Sequence, residues 1–226
     1  MQRRSADELA AVDDPAWPAV SSLLDRVRTA TALEVDPERG RRVLFSLQVT
    51  ARSYLGALAL NTGGILADHG WFRLLGGGSD HLDDVASVNN LDGRRGTHQP
   101  PPFLLVGFDA LGGRFAIDGG GLGVAAGEVC YFGPDTLSWG GLGGGHADFV
   151  TAAISGALSQ TFAPLRWSGW QDEVAALRAD QGLSIYPPPF SREGQDIAAA
   201  SRRAVPVREL VYFYDEAARQ LGAPSA

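Results

Sequence analysis

Residues 103–133 read FLLVGFDALGGRFAIDGGGLGVAAGEVCYFG, and no other stretch limits the fold as much. Phe103-Leu-Leu-Val106 is a short apolar run. The β-branched Val106, the prolines at 100–102 and the glycine at 107 favour a strand there over a buried helical segment. Gly112-Gly113 supplies the backbone freedom that a hairpin turn needs. Arg114 to Asp118 then alternates, with Phe115 and Ile117 on one face and Arg114, Ala116 and Asp118 on the other. That is the two-residue period of an antiparallel strand. A further glycine turn, Gly119–Gly123, leads to a third strand over Glu128–Phe132. Three strands with such short connections predict the middle of an antiparallel sheet.

The same glycines fit a competing pattern, because Gly121-Leu-Gly123-Val-Ala-Ala126 matches the G-x-G-x-x-A dinucleotide fingerprint. That motif should follow a strand and open a helix. Here a strand follows, so a turn is the better reading. Glycine is abundant at 29 of 226 residues, against an average usage of about 7%, and it clusters at predicted turns without a period.

Around this meander the sequence predicts helices on both sides. Residues 1–13 are expected to be frayed, and 14–226 to form one α+β domain, within the roughly 250 residues that a single core supports. Asp14 to Arg28 has apolar residues at helical spacing, with Asp14 as cap. Val43, Phe45, Leu47 and Val49 alternate with their neighbours and predict a strand. Ser53 caps a short helix to Leu60. Ile65–Asp68 and Trp71–Leu75 predict two strands around His69-Gly70, and residues 79–102 a long surface loop with a turn near Leu82–Val85. Thr136–Trp139 predicts a fourth strand after the meander. Helices are expected over 146–158, 169–178 and 195–201, with an extended piece at Leu183–Tyr186 and a final helix opened by Pro206.

Composition removes several functions. The formal net charge is −7, which disfavours a general nucleic-acid binder. Every non-histidine cation is arginine, with no lysine anywhere. A Walker A loop, a Schiff-base enzyme and a protein kinase each need a lysine. The single cysteine, Cys130, sits in a predicted strand and reads as a buried thiol. His69, His81, His98 and His146 show no zinc-ligand spacing, so no metal, cofactor or catalytic residue is assigned. No run reaches the ~18 apolar residues of a membrane span, and the N-terminus has no apolar signal region. A cytoplasmic protein is expected.

The runs Asn61-Thr-Gly-Gly64, Asp68-His-Gly-Trp71, Arg73-Leu-Leu-Gly-Gly-Gly-Ser79, Leu111 to Gly123, Tyr131 to Trp139 and Leu165-Arg-Trp-Ser-Gly-Trp170 together resemble a bacterial family of unknown function. More distantly, the order of helix, paired glycines, strands, Asp-Gly-Gly-Gly and strand is similar to the SUKH superfamily. That resemblance implies an antiparallel sheet flanked by N- and C-terminal helices, and a non-catalytic role of immunity-protein type with a basic protein, such as a toxin, as partner. Asp68, Trp71, Asp118, Asp135 and Trp139 are the expected contact residues. The alternative is a ligand-binding domain or enzyme with a pocket near Asp68, His69 and Asp118. A homo-oligomer built on the glycine-rich region stays open.

Overall fold

The central meander forms as its turn residues dictate: β4 (Phe103–Asp109), β5 (Arg114–Asp118) and β6 (Val129–Phe132) pair antiparallel in sequence order. These strands belong to a computed structural model that describes residues 3–91 and 101–222. Before them in the chain lie α1 (Ala6–Ala10), α2 (Trp17–Asp25), β1 (Thr31–Leu33), α3 (Pro37–Leu47), α4 (Tyr54–Asn61), β2 (Gly64–Ala67), β3 (Phe72–Leu75) and α5 (Val85–Val88). After them come β7 (Trp139–Gly141), α6 (His146–Ser155), α7 (Trp170–Ala175), β8 (Gln181–Tyr186), β9 (Ser201–Pro206) and α8 (Val207–Gln220). Strands β1 to β7 make one antiparallel sheet in which spatial order equals chain order, and β8 and β9 form a separate antiparallel ribbon.

Register sorts the side chains. Thr31 pairs with Leu66, Leu66 with Arg73, Arg73 with Phe108, Phe108 with Arg114, Arg114 with Phe132 and Phe132 with Trp139. Cross-strand partners share a face, so these residues form one row across one side of the sheet. The other side carries Ile65, Leu74, Phe115 and Tyr131. Phe115 packs there against Phe149 of α6, with ring centroids 4.6 Å apart. The first side is covered too. Arg114 reaches Asp215 of α8 at 2.7 Å, and Phe132 shares a buried cluster with Leu210 and Tyr214 of α8. The β8–β9 ribbon is joined to the sheet where Leu183 N–H donates to Ala110 C=O. Coverage of both sides explains why the two arginines of this row, Arg73 and Arg114, are buried.

Several local expectations are corrected. The frayed 1–13 segment instead contains α1. Ser5 and Glu8 form a reciprocal capping box and Leu9 is fully buried. Most of residues 43–49 belong to helix α3 and none to a strand. The Asp36 side chain accepts from Arg39 N–H and Pro37 occupies the first turn, and buried Gly40, Val43 and Leu44 recur at helical spacing. Alternation over 43–49 was a chance overlay on that pattern. Helix α2 starts at Trp17, with Pro18 in its first turn, and Asp14 does not cap it. The helix expected over 195–201 does not form. A short 3-10 turn at Glu193–Gln195 precedes it, and Ser201 already opens strand β9, for which β8 offers a six-residue partner. The predicted turn near Leu82–Val85 becomes α5, capped by Asp84. The 92–100 part of the expected loop lies outside the described residues, as does His98.

Candidate functional site

The β2–β3 turn is where the backbone is most unusual. Asp68 and His69 have φ of 51° and 59°, and Gly70 follows at 86°. A left-handed conformation costs a non-glycine residue roughly 1–3 kcal/mol and persists only where neighbours over-determine it. They do so here. Trp71 N–H donates to Asp68 C=O at 3.0 Å, and His69 N–H donates to Thr29 C=O at 2.9 Å. Asp68 Oδ2 accepts from Arg166 Nη2 at 2.6 Å and from the Ser159 hydroxyl at 2.7 Å. The Arg166 guanidinium lies over the Trp71 and Trp170 rings, 4.6 and 4.1 Å from their centroids. His69 meets Trp170 edge-on. The turn is therefore pinned to the segment that begins α7.

A cavity of about 280 Å³ opens between this turn, β1 and α7. Arg28, His69 and Arg73 bring its charge or polarity, Thr29 and Thr31 line it, and Leu66, Val174 and Leu177 form apolar wall. Among the described residues no carboxylate lines it, in a chain whose net charge is −7.

Arg73 is the anomaly in this cavity. Its relative exposure is 1%. Two other arginines with buried side chains each hold a carboxylate: Arg114 takes Asp215 at 2.7 Å and Arg166 takes Asp68 at 2.6 Å. Arg73 has no such partner among the described residues. Its Nη1 donates to Trp71 C=O only at 3.4 Å; its Nε, like those of Arg114 and Arg166, has no partner among the described residues, so the missing carboxylate is what sets it apart. Burial lowers its pKa to about 10 against the opposing pull of Asp109, so it remains charged at neutral pH. A buried charge without a paired counter-ion costs several kcal/mol.

Asp109 does not fill that role. Its Oδ1 accepts from Leu111 and Gly113 N–H, both at 2.8 Å, and its Oδ2 from the Tyr131 hydroxyl at 2.6 Å. Burial pushes the Asp109 carboxyl up while those bonds pull it down, and the net direction is up. This group holds the β4–β5 turn together.

The expected contact residues are scattered, and three of them are inside. Trp71 is fully buried, and Asp68 and Asp118 are 7% and 2% exposed. Asp118 Oδ1 accepts from Gly120, Gly121 and Leu122 N–H at 2.7–3.0 Å. It thus ties the glycine turn that sequence alone offered as a fingerprint. Burial works to raise this carboxyl, and the backbone donors outweigh it and hold its pKa below the ordinary value. Asp135 is exposed and Trp139 half-buried; Trp139 packs near Phe103 and Phe132. Of the expected pocket residues, only His69 lines the cavity; Asp68 braces it from behind and Asp118 is not part of it. Cys130 is buried, as expected. A wider depression of about 620 Å³ lies at α3 and α5, but both signs of charge line it, and Arg39 there already faces Asp84 at 3.8 Å. Among the described residues, no group of three or more His, Cys, Asp or Glu is placed to hold a metal. Among them, too, no helix is long and apolar enough to cross a membrane.

The fold and cavity define an α+β protein built on a seven-stranded antiparallel sheet, with a buried arginine among the residues that line a small cavity beside the β2–β3 turn. The chain belongs to DUF2625, a family of proteins of unknown function, which matches residues 6–210. It is 34% identical over 186 residues to the putative uncharacterized protein YbfG of Escherichia coli, covering 81% of this chain and 84% of that one. It is 30% identical over 192 residues to an uncharacterized protein of Haemophilus influenzae, covering 84% of each. No solved structure matches.

Proposed function

We propose that this protein is a non-catalytic binding domain whose small-molecule ligand enters the cavity between the β2–β3 turn and α7. One observation carries the reading: Arg73, a buried cation that pairs with no carboxylate among the described residues, is one of the residues lining that cavity. Proteins seldom leave a buried charge unsatisfied without a use for it. The lining supplies cations, hydroxyl groups and apolar wall, which suits holding a ligand. Of the pocket expected near Asp68, His69 and Asp118, this reading keeps His69 and adds Arg73.

The test is native mass spectrometry of the protein purified gently from its own host, alongside an Ala175→Trp variant. Ala175 is exposed at the end of α7 and lines the cavity, so a large ring there blocks the mouth at little cost to the core. A small molecule retained by the parent and lost from the variant supports the reading. An empty parent, indistinguishable from the variant in every solvent and ligand screen, ends it.

A second reading is a protein-binding module of SUKH-like, immunity-protein type acting in the cytoplasm on a basic partner. Its support is the net charge of −7, the exposed Asp135 and the half-exposed Trp139, together with Tyr186 and Tyr212, which are 72% and 71% exposed. Such charge steers basic partners. A pull-down that enriches a basic protein, weakened by Asp135→Arg or Trp139→Ala, would favour it.

A further inference from the structure

We infer that the ligand of this cavity carries an oxyanion, a carboxylate or a phosphate group, which pairs with the Arg73 guanidinium. The inference rests on reading the cavity as a binding site and adds the ligand's chemical class.

Three observations converge. The first is the missing ion pair. Arg73 is buried and lines the cavity, while no acidic residue among the described ones does. The second is that Asp68 and Asp109, buried acids at the strand ends beside this turn, are occupied. Asp68 Oδ2 serves Arg166 and Ser159, and both Asp109 oxygens accept from the β4–β5 turn and Tyr131. Neither is free to turn toward Arg73 without giving up short hydrogen bonds. The third is that Arg28 and His69 stand on the same cavity. An acidic chain has set two arginines and an imidazole at one place, and an incoming anion would meet them there.

A planar guanidinium matches the two oxygens of a carboxylate or phosphate better than any neutral group, and such a pair strengthens where water is excluded. The volume of about 280 Å³ falls just under the range of drug-sized ligand sites. The site therefore takes a small organic anion with a short apolar body against Leu66, Val174 and Leu177, or a simple phosphate.

The experiment is thermal unfolding and titration calorimetry at matched ionic strength with butyrate, inorganic phosphate and the neutral isostere butyramide. The proteins are the parent, Arg73→Met and Ala175→Trp. We expect butyrate or phosphate to raise the parent's Tm while butyramide does not, and whichever of the two acts names the source of the oxyanion. Arg73→Met should weaken that anion by at least about tenfold. It should also leave the ligand-free protein as stable or more so, since an unpaired buried charge gives way to an apolar side chain of similar length. Butyramide binding as well as butyrate, with both lost in Ala175→Trp, would leave the cavity as a ligand site and overturn the anion. Anions that stabilise all three proteins equally bind elsewhere and overturn it as well. If no probe binds and Arg73→Met is less stable than the parent, the guanidinium has a structural role and both readings fall.

Discussion

Arg166 Nη2 donates to Asp68 Oδ2 across 2.6 Å, joining residues 98 apart in the chain. Both side chains are under 10% exposed. This bond fixes the strained β2–β3 turn against the segment leading into α7, and so sets the two walls of the cavity. Removing one partner of a buried pair costs about 3–5 kcal/mol, because the other charge is left behind. Arg166→Met should therefore destabilise the protein by that order in urea unfolding. A loss under about 1 kcal/mol, typical of solvent-exposed pairs, would mean that the bond does not brace the turn.

His146, the first residue of α6, has both ring nitrogens buried and without a partner among the described residues. Burial lowers its pKa from 6.5 to about 4. The unfolded chain then binds the proton more readily than the folded one. Its contribution to stability is complete above pH 6.5 and is lost as pH falls toward 4. The loss amounts to at most roughly 3 kcal/mol over that interval. His146→Phe should flatten the stability profile between those limits; an unchanged slope would show that the ring does not titrate there.

Asp118 acts in a separate window. Its pKa is held below the ordinary 3.8 by the donors of the glycine turn. Its stabilising effect is present above that value and disappears as pH drops through the lower folded value. Asp118→Asn should lower Tm at neutral pH and make acid unfolding below about pH 4 shallower, while the His146 window keeps its slope. Equal profiles for parent and variant would remove Asp118 from the acid response.

Gly112 has φ 86°, and a Cβ there would stand 2.6 Å from Leu210 Cβ. Close approach of the β4–β5 turn to α8 thus depends on a hydrogen at this position. Gly112→Ala should cost about 2–4 kcal/mol, combining overpacking with a positive φ. The check is chemical denaturation, with fluorescence of the tryptophans reporting the midpoint; an unshifted midpoint would mean that α8 does not press on this turn.

Much of the sheet was legible because its signals are local. Paired glycines at 112–113 and 119–121, and the alternation of Arg114–Asp118, placed β4 to β6. Ser53 announced α4, and Pro206 announced α8. Where two periods fitted one stretch, as at 43–49, spacing could not choose between them, and the cap at Asp36 decided for a helix. Strand β9 escaped because its only reason to be extended is β8, fifteen or more residues earlier. The site was harder still. Arg73 lies between Phe72 and Leu74, and a charge alternating with apolar residues reads as a solvent-facing position. It becomes a buried, unpaired cation only because the other side of the sheet is covered as well. Trp71 and Asp118 show the opposite case, since an aromatic and an acid at strand ends look exposed in the sequence and packing takes both in.

By itself the chain determined an antiparallel meander with glycine turns, helices around it, an acidic balance and the absence of lysine. Each follows from residue type and spacing within a few positions, where backbone geometry and composition leave little choice. Tertiary structure alone decided which charges are paired. Asp68 finds Arg166, Arg114 finds Asp215, and Arg73 finds none among the described residues. Partners so distant in sequence meet only through the way helices and ribbon close over the sheet, and burial then turns an ordinary arginine into the group that defines the cavity.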